Sequence, residues 1–154
     1  MLWGVIVAVC FTPIGQEMNL LCGEVLQKIH VEPQTEQAVE TLQRAAPGFN
    51  RIYLVFFALV IAPVSEEALF RGILYPTIKQ YGFPRAALWG TSLLFAAVHV
   101  NLPAFLPLVI LAIVLTILYE RTNNLLACIV AHSLFNASAV AYLFYQGLAG
   151  QPAT

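Results

Sequence analysis

Charge is what this sequence has least of. Only 10% of its 154 residues are charged, aspartate is absent, and all eight acidic residues are glutamates. Its seven Lys and Arg residues form no run, so the chain does not have the clustered positive charge that binds nucleic acid. Because 60% of the residues are hydrophobic and the mean hydropathy is +0.79, the sequence indicates an integral membrane protein.

Several familiar catalytic and metal-binding motifs are also missing. The three cysteines, Cys10, Cys22 and Cys128, are far apart and form no CxxC pair, so we interpret them as small packing residues. There is no HExxH zinc-protease helix, no GxSxG elbow and no cysteine with a nearby activating histidine. Serine and cysteine nucleophiles are therefore not expected.

What the sequence does have is five apolar segments, the last four joined by short connections. The breakers "YGFPR" and "NLP" and the polar hairpin "ERTNN" separate these four, and such short connections imply antiparallel neighbours. The sequence predicts an all-α polytopic membrane bundle with about four core transmembrane helices and an extra apolar helix at the N-terminus. The segments are residues 1–21, 51–80, 86–100, 102–119 and 125–148.

Four regions follow from this pattern. Residues 1–22 are predicted to be an N-terminal apolar helix, 23–50 an interfacial or exposed helical linker, 51–148 the membrane-embedded domain, and 149–154 a tail. The linker is predicted because charged and apolar residues alternate in it, as in a helix at a water interface. Segment 1–21 lacks a basic start and carries Thr12-Pro13 in its middle, so a signal peptide is not expected.

The most informative polar groups lie in the segment 51–80. Glu66, Glu67 and Arg71 follow a long uncharged run, and each unpaired charge at the centre of a membrane helix costs roughly 2.5 to 3.5 kcal/mol. Glu67 and Arg71 are spaced i to i+4 and predict an ion pair on one helix face, whereas Glu66 points elsewhere and needs another partner. In the simpler interpretation, Ser65 caps a helix that begins after Pro63.

Two later segments carry the remaining polar side chains. His99 ends segment 86–100, and His132 and Asn136 project from one face of segment 125–148. Interhelical hydrogen bonding could explain each of them singly. Together with Glu66 they form a set that could hydrolyse a bond: the carboxylate as general base toward water, His99 orienting that water, and His132 and Asn136 donating to an oxyanion.

These residues resemble the CPBP family, which comprises the type II CAAX prenyl endopeptidases and the bacteriocin-processing or Abi proteins. The resemblance covers about residues 52–140 and rests on three motifs in order. They are EExxxR (Glu66, Glu67, Arg71), FxxxH (Phe95, His99) and HxxxN (His132, Asn136). Only one apolar segment precedes the first motif, fewer than is common in the family, which predicts a short member or a fragment.

The resemblance implies an intramembrane endopeptidase in a multi-pass bundle, in a prokaryotic cell membrane. Glu66 with His99 would activate water, and His132 and Asn136 would form the oxyanion hole. The other motif residues, Glu67, Arg71 and Phe95, would support them. The substrate would be a prenylated CAAX-type C-terminus or a small peptide precursor, and membrane lipid would be the other partner.

Two alternatives stay open on the sequence. In the first, Glu66, His99 and His132 hold a zinc ion that takes part in the hydrolysis. In the metal-free mechanism, no cofactor is expected. In the second, the chain is a non-catalytic immunity or scaffold protein whose polar groups hold helices together. Depth is a further problem, because straight spanning helices would place Glu66 about 20 Å from the membrane side at which His99 lies. A tilt, a kink at Pro63 or a re-entrant "VNLP" is therefore predicted.

Overall fold

Five helices account for most of the described part of the chain. The structure, a computed structural model, describes residues 2–31, 41–42, 44–45 and 48–149, the last four of these by backbone alone. No strand occurs in these residues, so the predicted all-α membrane bundle is confirmed. The helices are α1 (Leu2–Lys28), α2 (Phe49–Gln80), α3 (Pro84–Ala97), α4 (Leu102–Thr122) and α5 (Leu125–Ala149).

Four of the helices, α1, α2, α4 and α5, are long and apolar enough to cross a membrane. α4 is the central one, because half of its most apolar window is buried, compared with 11–22% for the other three. Its residues Leu111, Ala112 and Leu115 are almost completely buried in the core, against residues of α3 and α5. The outward faces of α1 and α2 carry many exposed large hydrophobic side chains, as lipid-facing surfaces do.

α3 differs from its prediction, because it is too short to span. Its 14 residues extend about 21 Å, against a hydrocarbon core of about 30 Å. Pro84 begins the helix, and Val100, which has a left-handed φ of 50°, follows its end. Asn101 then starts α4, since its Oδ1 accepts the Ala104 N–H at 3.1 Å. The predicted core of four spanning helices therefore contains one helix that is too short to cross a membrane.

The predicted linker also changes in extent. α1 continues to Lys28 and so includes the first residues of the range 23–50, because nothing after Gly23 breaks the helix. Residues 32–40, the middle of the predicted linker, lie outside the described residues, as do 150–154 of the predicted tail. α5 ends at Ala149, one residue beyond the predicted limit of the membrane domain.

α1 packs on α4 and runs parallel to α5 in close contact. Gly4 lies against the backbone of Ala127, and Gly15 lies against the ring of Phe135, so contacts advance along both helices in the same direction. A Cβ added at Gly4 would lie 2.4 Å from the Ala127 carbonyl oxygen, too close for any pair of these atoms. The absence of a side chain at Gly4 is therefore what lets the two backbones meet.

We expect Gly4→Ala to destabilise the bundle by about 1 to 3 kcal/mol, because the added methyl group must push α1 off α5. The measurement is thermal unfolding in detergent micelles. Gly23→Ala is the matched control, since Gly23 lies in the same helix with nothing within 4 Å of an added Cβ. It should keep or slightly raise the melting temperature, because alanine favours helix over glycine. Equal melting temperatures for the two variants would contradict the close packing at Gly4.

Candidate active site

α2 departs from regular α-helical geometry on both sides of Glu66 and Glu67. It is π-helical at Phe57–Ile61 and again at Ala68–Leu74, and a proline follows each stretch by two residues, Pro63 and Pro76. A proline has no N–H and its ring clashes with the carbonyl four residues earlier, which a widened turn relieves. A π-helical turn therefore comes just before Pro63, one of the places at which a kink was predicted, and Glu66 and Glu67 lie between the two stretches.

Ser65 does not begin a helix here. Its hydroxyl donates to the carbonyls of Ile61 and Ala62, both 2.9 Å away, so it bonds back along a helix that continues through Pro63. The helix continues because Pro63 lies in the first turn after the π-helical stretch, where its ring is tolerated. The interpretation of Ser65 as an N-cap is therefore wrong.

Glu66 faces the two motif histidines. Its Oε2 lies 3.9 Å from His99 Nε2 and 3.7 Å from His132 Nε2. This oxygen is buried and has no hydrogen-bond partner within the described residues. The side chains differ in access, since Glu66 is 29% and His99 14% exposed, whereas His132 is 2% exposed. One carboxylate oxygen of α2, the His99 imidazole from the turn after α3 and the His132 imidazole of α5 therefore meet at one point.

The opposite nitrogen of each imidazole is held by an acceptor. His99 Nδ1 lies 2.7 Å from the Phe95 carbonyl oxygen, and His132 Nδ1 lies 2.8 Å from Glu67 Oε1. Both acceptors require Nδ1 to donate, so a neutral ring carries its lone pair on Nε2. Glu66 Oε2 and His99 Nε2 are then two acceptors directed at one place, which is an arrangement suited to receiving the two hydrogens of a water molecule.

Glu67 and Arg71 form the predicted ion pair, and hydrogen bonds connect this pair to α4 and α5. Arg71 Nη1 donates to Glu67 Oε1 at 2.8 Å, and Nη2 donates to the Ala112 carbonyl oxygen of α4 at 2.9 Å. Glu67 and Arg71 are 0% and 2% exposed. Since Glu67 Oε1 also accepts from His132 of α5, one buried carboxylate fixes the orientation of that imidazole.

Phe95 is the apolar support of the cluster and is completely buried. Its ring lies edge-on to Phe70 at 5.1 Å and contacts the rings of His99 and His132 at 4.9 and 5.7 Å between centroids. The Arg71 guanidinium carbon lies 5.0 Å from the centre of the same ring. Replacing this ring by a smaller side chain would therefore loosen both histidines at once.

Asn136 lies one helical turn beyond His132, and its amide is engaged elsewhere. Its Nδ2 donates to the Ala58 carbonyl oxygen of α2 at 3.0 Å. The amide has two hydrogens, so one N–H is left for another acceptor. This contact with Ala58 was not predicted from the sequence, although two prolines in one apolar helix are a signal that its backbone carbonyls are not all paired.

Glu66 and His99 lie at a similar distance from the turn between α2 and α3, because α3 is short. Glu66 lies 14 residues before Gln80, and His99 lies 15 residues after Pro84, on the other side of the turn at 81–83. At 1.5 Å per residue, both lie about 21 to 23 Å from that turn and so at one depth. Straight spanning helices would have put His99 at the far membrane side, and the predicted tilt, kink or re-entrant stretch is not needed to bring the two residues together, because α3 is short. The "VNLP" stretch forms the turn between α3 and α4.

A cavity of about 440 Å³ lies beside the cluster. Ala97 and Val100, on either side of His99, line it together with Phe105, but His99 itself does not. Among the described residues, no group of three or more His, Cys, Asp or Glu side chains is arranged to hold a metal ion.

The part of the chain that carries the three motifs matches a known family. A family described as type II CAAX prenyl endopeptidase Rce1-like matches residues 48–138. The UPF0177 protein YxdF of Lactococcus lactis is 35% identical over 88 residues, which cover 54% of this chain and 48% of that protein. The uncharacterized protein YpbD of Bacillus subtilis is 34% identical over 89 residues, 55% of this chain and 42% of that protein. The chain thus matches less than half the length of these relatives, and no solved structure matches it.

Proposed function

The chain belongs to the Rce1-like family of type II CAAX prenyl endopeptidases, and from that premise we propose that it is an intramembrane endopeptidase that cleaves with a glutamate-activated water. The observation that supports this most is the position of Glu66 Oε2, which faces two Nε2 atoms and has no hydrogen-bond partner among the described residues. A carboxylate in this setting is available to take a proton.

The proposed reaction begins with a water between Glu66 and His99. Glu66 removes a proton, His99 Nε2 accepts the second hydrogen and orients the water, and the oxygen attacks the peptide carbonyl carbon. When the tetrahedral intermediate collapses, the C–N bond breaks and the proton passes from Glu66 to the leaving amine. The products are a new carboxylic acid and a new amine, and transfer of the acid's proton to the amine gives carboxylate and ammonium, so atoms and charge balance.

His132 and Asn136 are proposed to stabilise the oxyanion. His132 lies between Glu66 and Glu67, and in its protonated form it donates from Nδ1 to Glu67 and from Nε2 into the site. Asn136 has a second amide hydrogen besides the one on Ala58. Losing one oxyanion donor typically costs roughly 2.7 to 4 kcal/mol of barrier stabilisation.

The proposed substrate is a peptide at the membrane, either a prenylated CAAX-type C-terminus or a small peptide precursor, and the proposed location is a prokaryotic cell membrane. The family supports the first substrate, and the bacterial relatives support the location. The test is cleavage of a panel of prenylated and unprenylated peptides by purified protein in liposomes, with products identified by mass spectrometry. A protein that is folded but cleaves no member of either class would overturn the proposal.

A zinc-dependent form of the same hydrolysis is the second candidate. Its support is that both Nδ1 atoms are held by a carbonyl or a carboxylate, which is the usual outer shell of histidines that bind metal. Glu66, His99 and His132 would be the ligands, and a bound zinc ion would supply an acidic water and polarise the substrate carbonyl. The Nε2 to Oε2 separations are slightly wide for ligands sharing one ion.

We expect the purified protein to cleave at an unchanged rate after treatment with a strong zinc chelator, because the acceptors at Glu66 suffice to activate water. Metal content is measured by mass spectrometry on the same sample before and after treatment. Stoichiometric zinc whose removal abolishes cleavage, with recovery on adding zinc back, would instead establish the metal-dependent form.

The non-catalytic alternative predicts that every polar group is occluded and paired. The ion pair of Glu67 with Arg71 fits that picture, since both side chains are buried and hydrogen-bonded. Glu66 does not fit, because it is 29% exposed and its Oε2 forms no hydrogen bond within the described residues. Glu66 is therefore the residue on which the enzyme and the scaffold proposals differ.

A further inference from the structure

The two prolines of α2 each leave one carbonyl without its backbone donor. In a π-helical turn a carbonyl accepts from the amide five residues later, as Phe57 does from Ala62. The next carbonyl in this register is Ala58, and its donor would be residue 63, which is Pro63 and has no N–H. The vacancy at Ala58 is therefore created by the proline.

The second π-helical stretch repeats this arrangement. The Phe70 carbonyl accepts from Tyr75, and the next carbonyl, that of Arg71, would need the N–H of Pro76. Within the described residues, no side chain donates to the Arg71 carbonyl, whereas Asn136 Nδ2 donates to the Ala58 carbonyl at 3.0 Å. One helix thus contains two equivalent gaps, of which only the one beside the motif asparagine is filled by a side chain.

We infer that Pro63 is a positioning residue for Asn136. By removing a backbone donor it keeps the Ala58 carbonyl free, and this carbonyl holds one N–H of the Asn136 amide. The amide plane is then fixed, and its other N–H has a defined direction. The contact also ties α5 to α2 at about one turn from His132, and Pro63 itself is buried between elements.

The consequence for catalysis rests on the proposed function, in which that second N–H stabilises the oxyanion. A donor held by a carbonyl is already oriented when the negative charge develops, so no reorganisation is needed. If the Ala58 carbonyl instead received a backbone N–H, Asn136 would lose its anchor and its amide would rotate. A misplacement of about 1 Å at an active site can cost roughly 100-fold in rate.

The experiment restores the N–H with Pro63→Ala and uses Pro76→Ala as the matched control. Both changes put a backbone amide after a π-helical stretch of α2, but only the first supplies a donor to a carbonyl bound by Asn136. We expect Pro63→Ala to lower kcat up to about 100-fold with little change in KM. Pro76→Ala should keep both values.

A second readout does not depend on activity. The side-chain amide of Asn136 is followed by ¹⁵N nuclear magnetic resonance in detergent, with the signal assigned by its loss in Asn136→Ala. We expect Pro63→Ala to shift this signal and to speed its hydrogen exchange, and Pro76→Ala to leave both unchanged. Because this readout requires no substrate, it decides the inference even if the wild-type protein cleaves none of the peptides tested.

Three results would overturn the inference. One is an unchanged Asn136 signal in Pro63→Ala; another is a shifted signal with unchanged kcat in a protein that cleaves. The third is that Pro63→Ala lowers kcat just as much when Asn136 is already alanine, which would show that Pro63 does not act through Asn136. If Pro63→Ala fails to fold in detergent, Pro63→Ser restores the same N–H, with a hydroxyl that can bond back to the helix as Ser65 does.

Discussion

Glu66→Gln is expected to abolish cleavage and to leave the protein as stable as wild type. Glutamine keeps the size and shape of glutamate but cannot take a proton from water, and loss of a general base typically costs about 10²- to 10⁴-fold in rate. The structure explains why stability should not fall. Glu66 Oε2 forms no hydrogen bond among the described residues, so the substitution removes none.

The new amide could even form contacts that the carboxylate does not. The Nε2 atoms of His99 and His132 carry lone pairs in the neutral rings and lie 3.9 and 3.7 Å from Oε2. A glutamine N–H placed there would donate to one of them, so we expect an equal or slightly higher melting temperature. Loss of activity together with unchanged stability distinguishes a catalytic carboxylate from one that holds helices together.

Glu17→Gln is the control for this experiment. Glu17 is an exposed glutamate in another apolar helix, α1, so its replacement makes the same chemical change away from the three motifs. Cleavage rates and melting temperatures are measured for both variants in the same liposomes. A Glu66→Gln protein that cleaves at the wild-type rate would disprove the water-activating role, and one that unfolds would support the scaffold alternative.

The sequence predicts well those features that are set within one helix. The pairing of Glu67 with Arg71 follows from the i to i+4 spacing alone, and the structure has it at 2.8 Å. The all-α membrane class follows from apolar segment length and is likewise confirmed. Both depend on the regular geometry of a helix, which does not change with the rest of the fold.

Features that depend on how helices meet could not be predicted in the same way. The second partner of Glu67 is His132, 65 residues away, and the carbonyl bound by Asn136 is 78 residues away. Helical periodicity relates residues three or four apart, so it does not predict contacts between residues this far apart in sequence. How His99 comes to the depth of Glu66 was left open for a related reason, because an apolar run of about 15 residues does not reveal whether its helix is long enough to span the membrane.

The second large effect is expected for Arg71→Met, which should lower the free energy of unfolding by roughly 3 to 5 kcal/mol. The substitution keeps a long apolar stem but removes the charge, so the carboxylate of Glu67, 0% exposed, stays buried with His132 as its remaining partner. The Ala112 carbonyl oxygen loses the Arg71 donor but keeps another, because it still accepts from the Thr116 hydroxyl at 2.8 Å. The cost therefore arises mainly from the uncompensated charge.

Adding Glu67→Gln to Arg71→Met tests that explanation. The double variant buries no charge, and the glutamine oxygen can still accept from His132 Nδ1, so it should recover a large part of the lost stability. Thermal unfolding in detergent provides the comparison for both proteins. If the double variant is less stable than Arg71→Met alone, the buried charge is not the source of the loss.

Lys79→Met provides the matched control, because Lys79 also links α2 to α4, through an ion pair with Glu120. Here the side chains are 41% and 38% exposed, so water replaces the lost partner and stability should change little. The two variants remove a cation from the same helix at points two turns apart and differ chiefly in burial. Equal losses for Arg71→Met and Lys79→Met would mean that burial of Glu67 does not set the strength of this link between the helices.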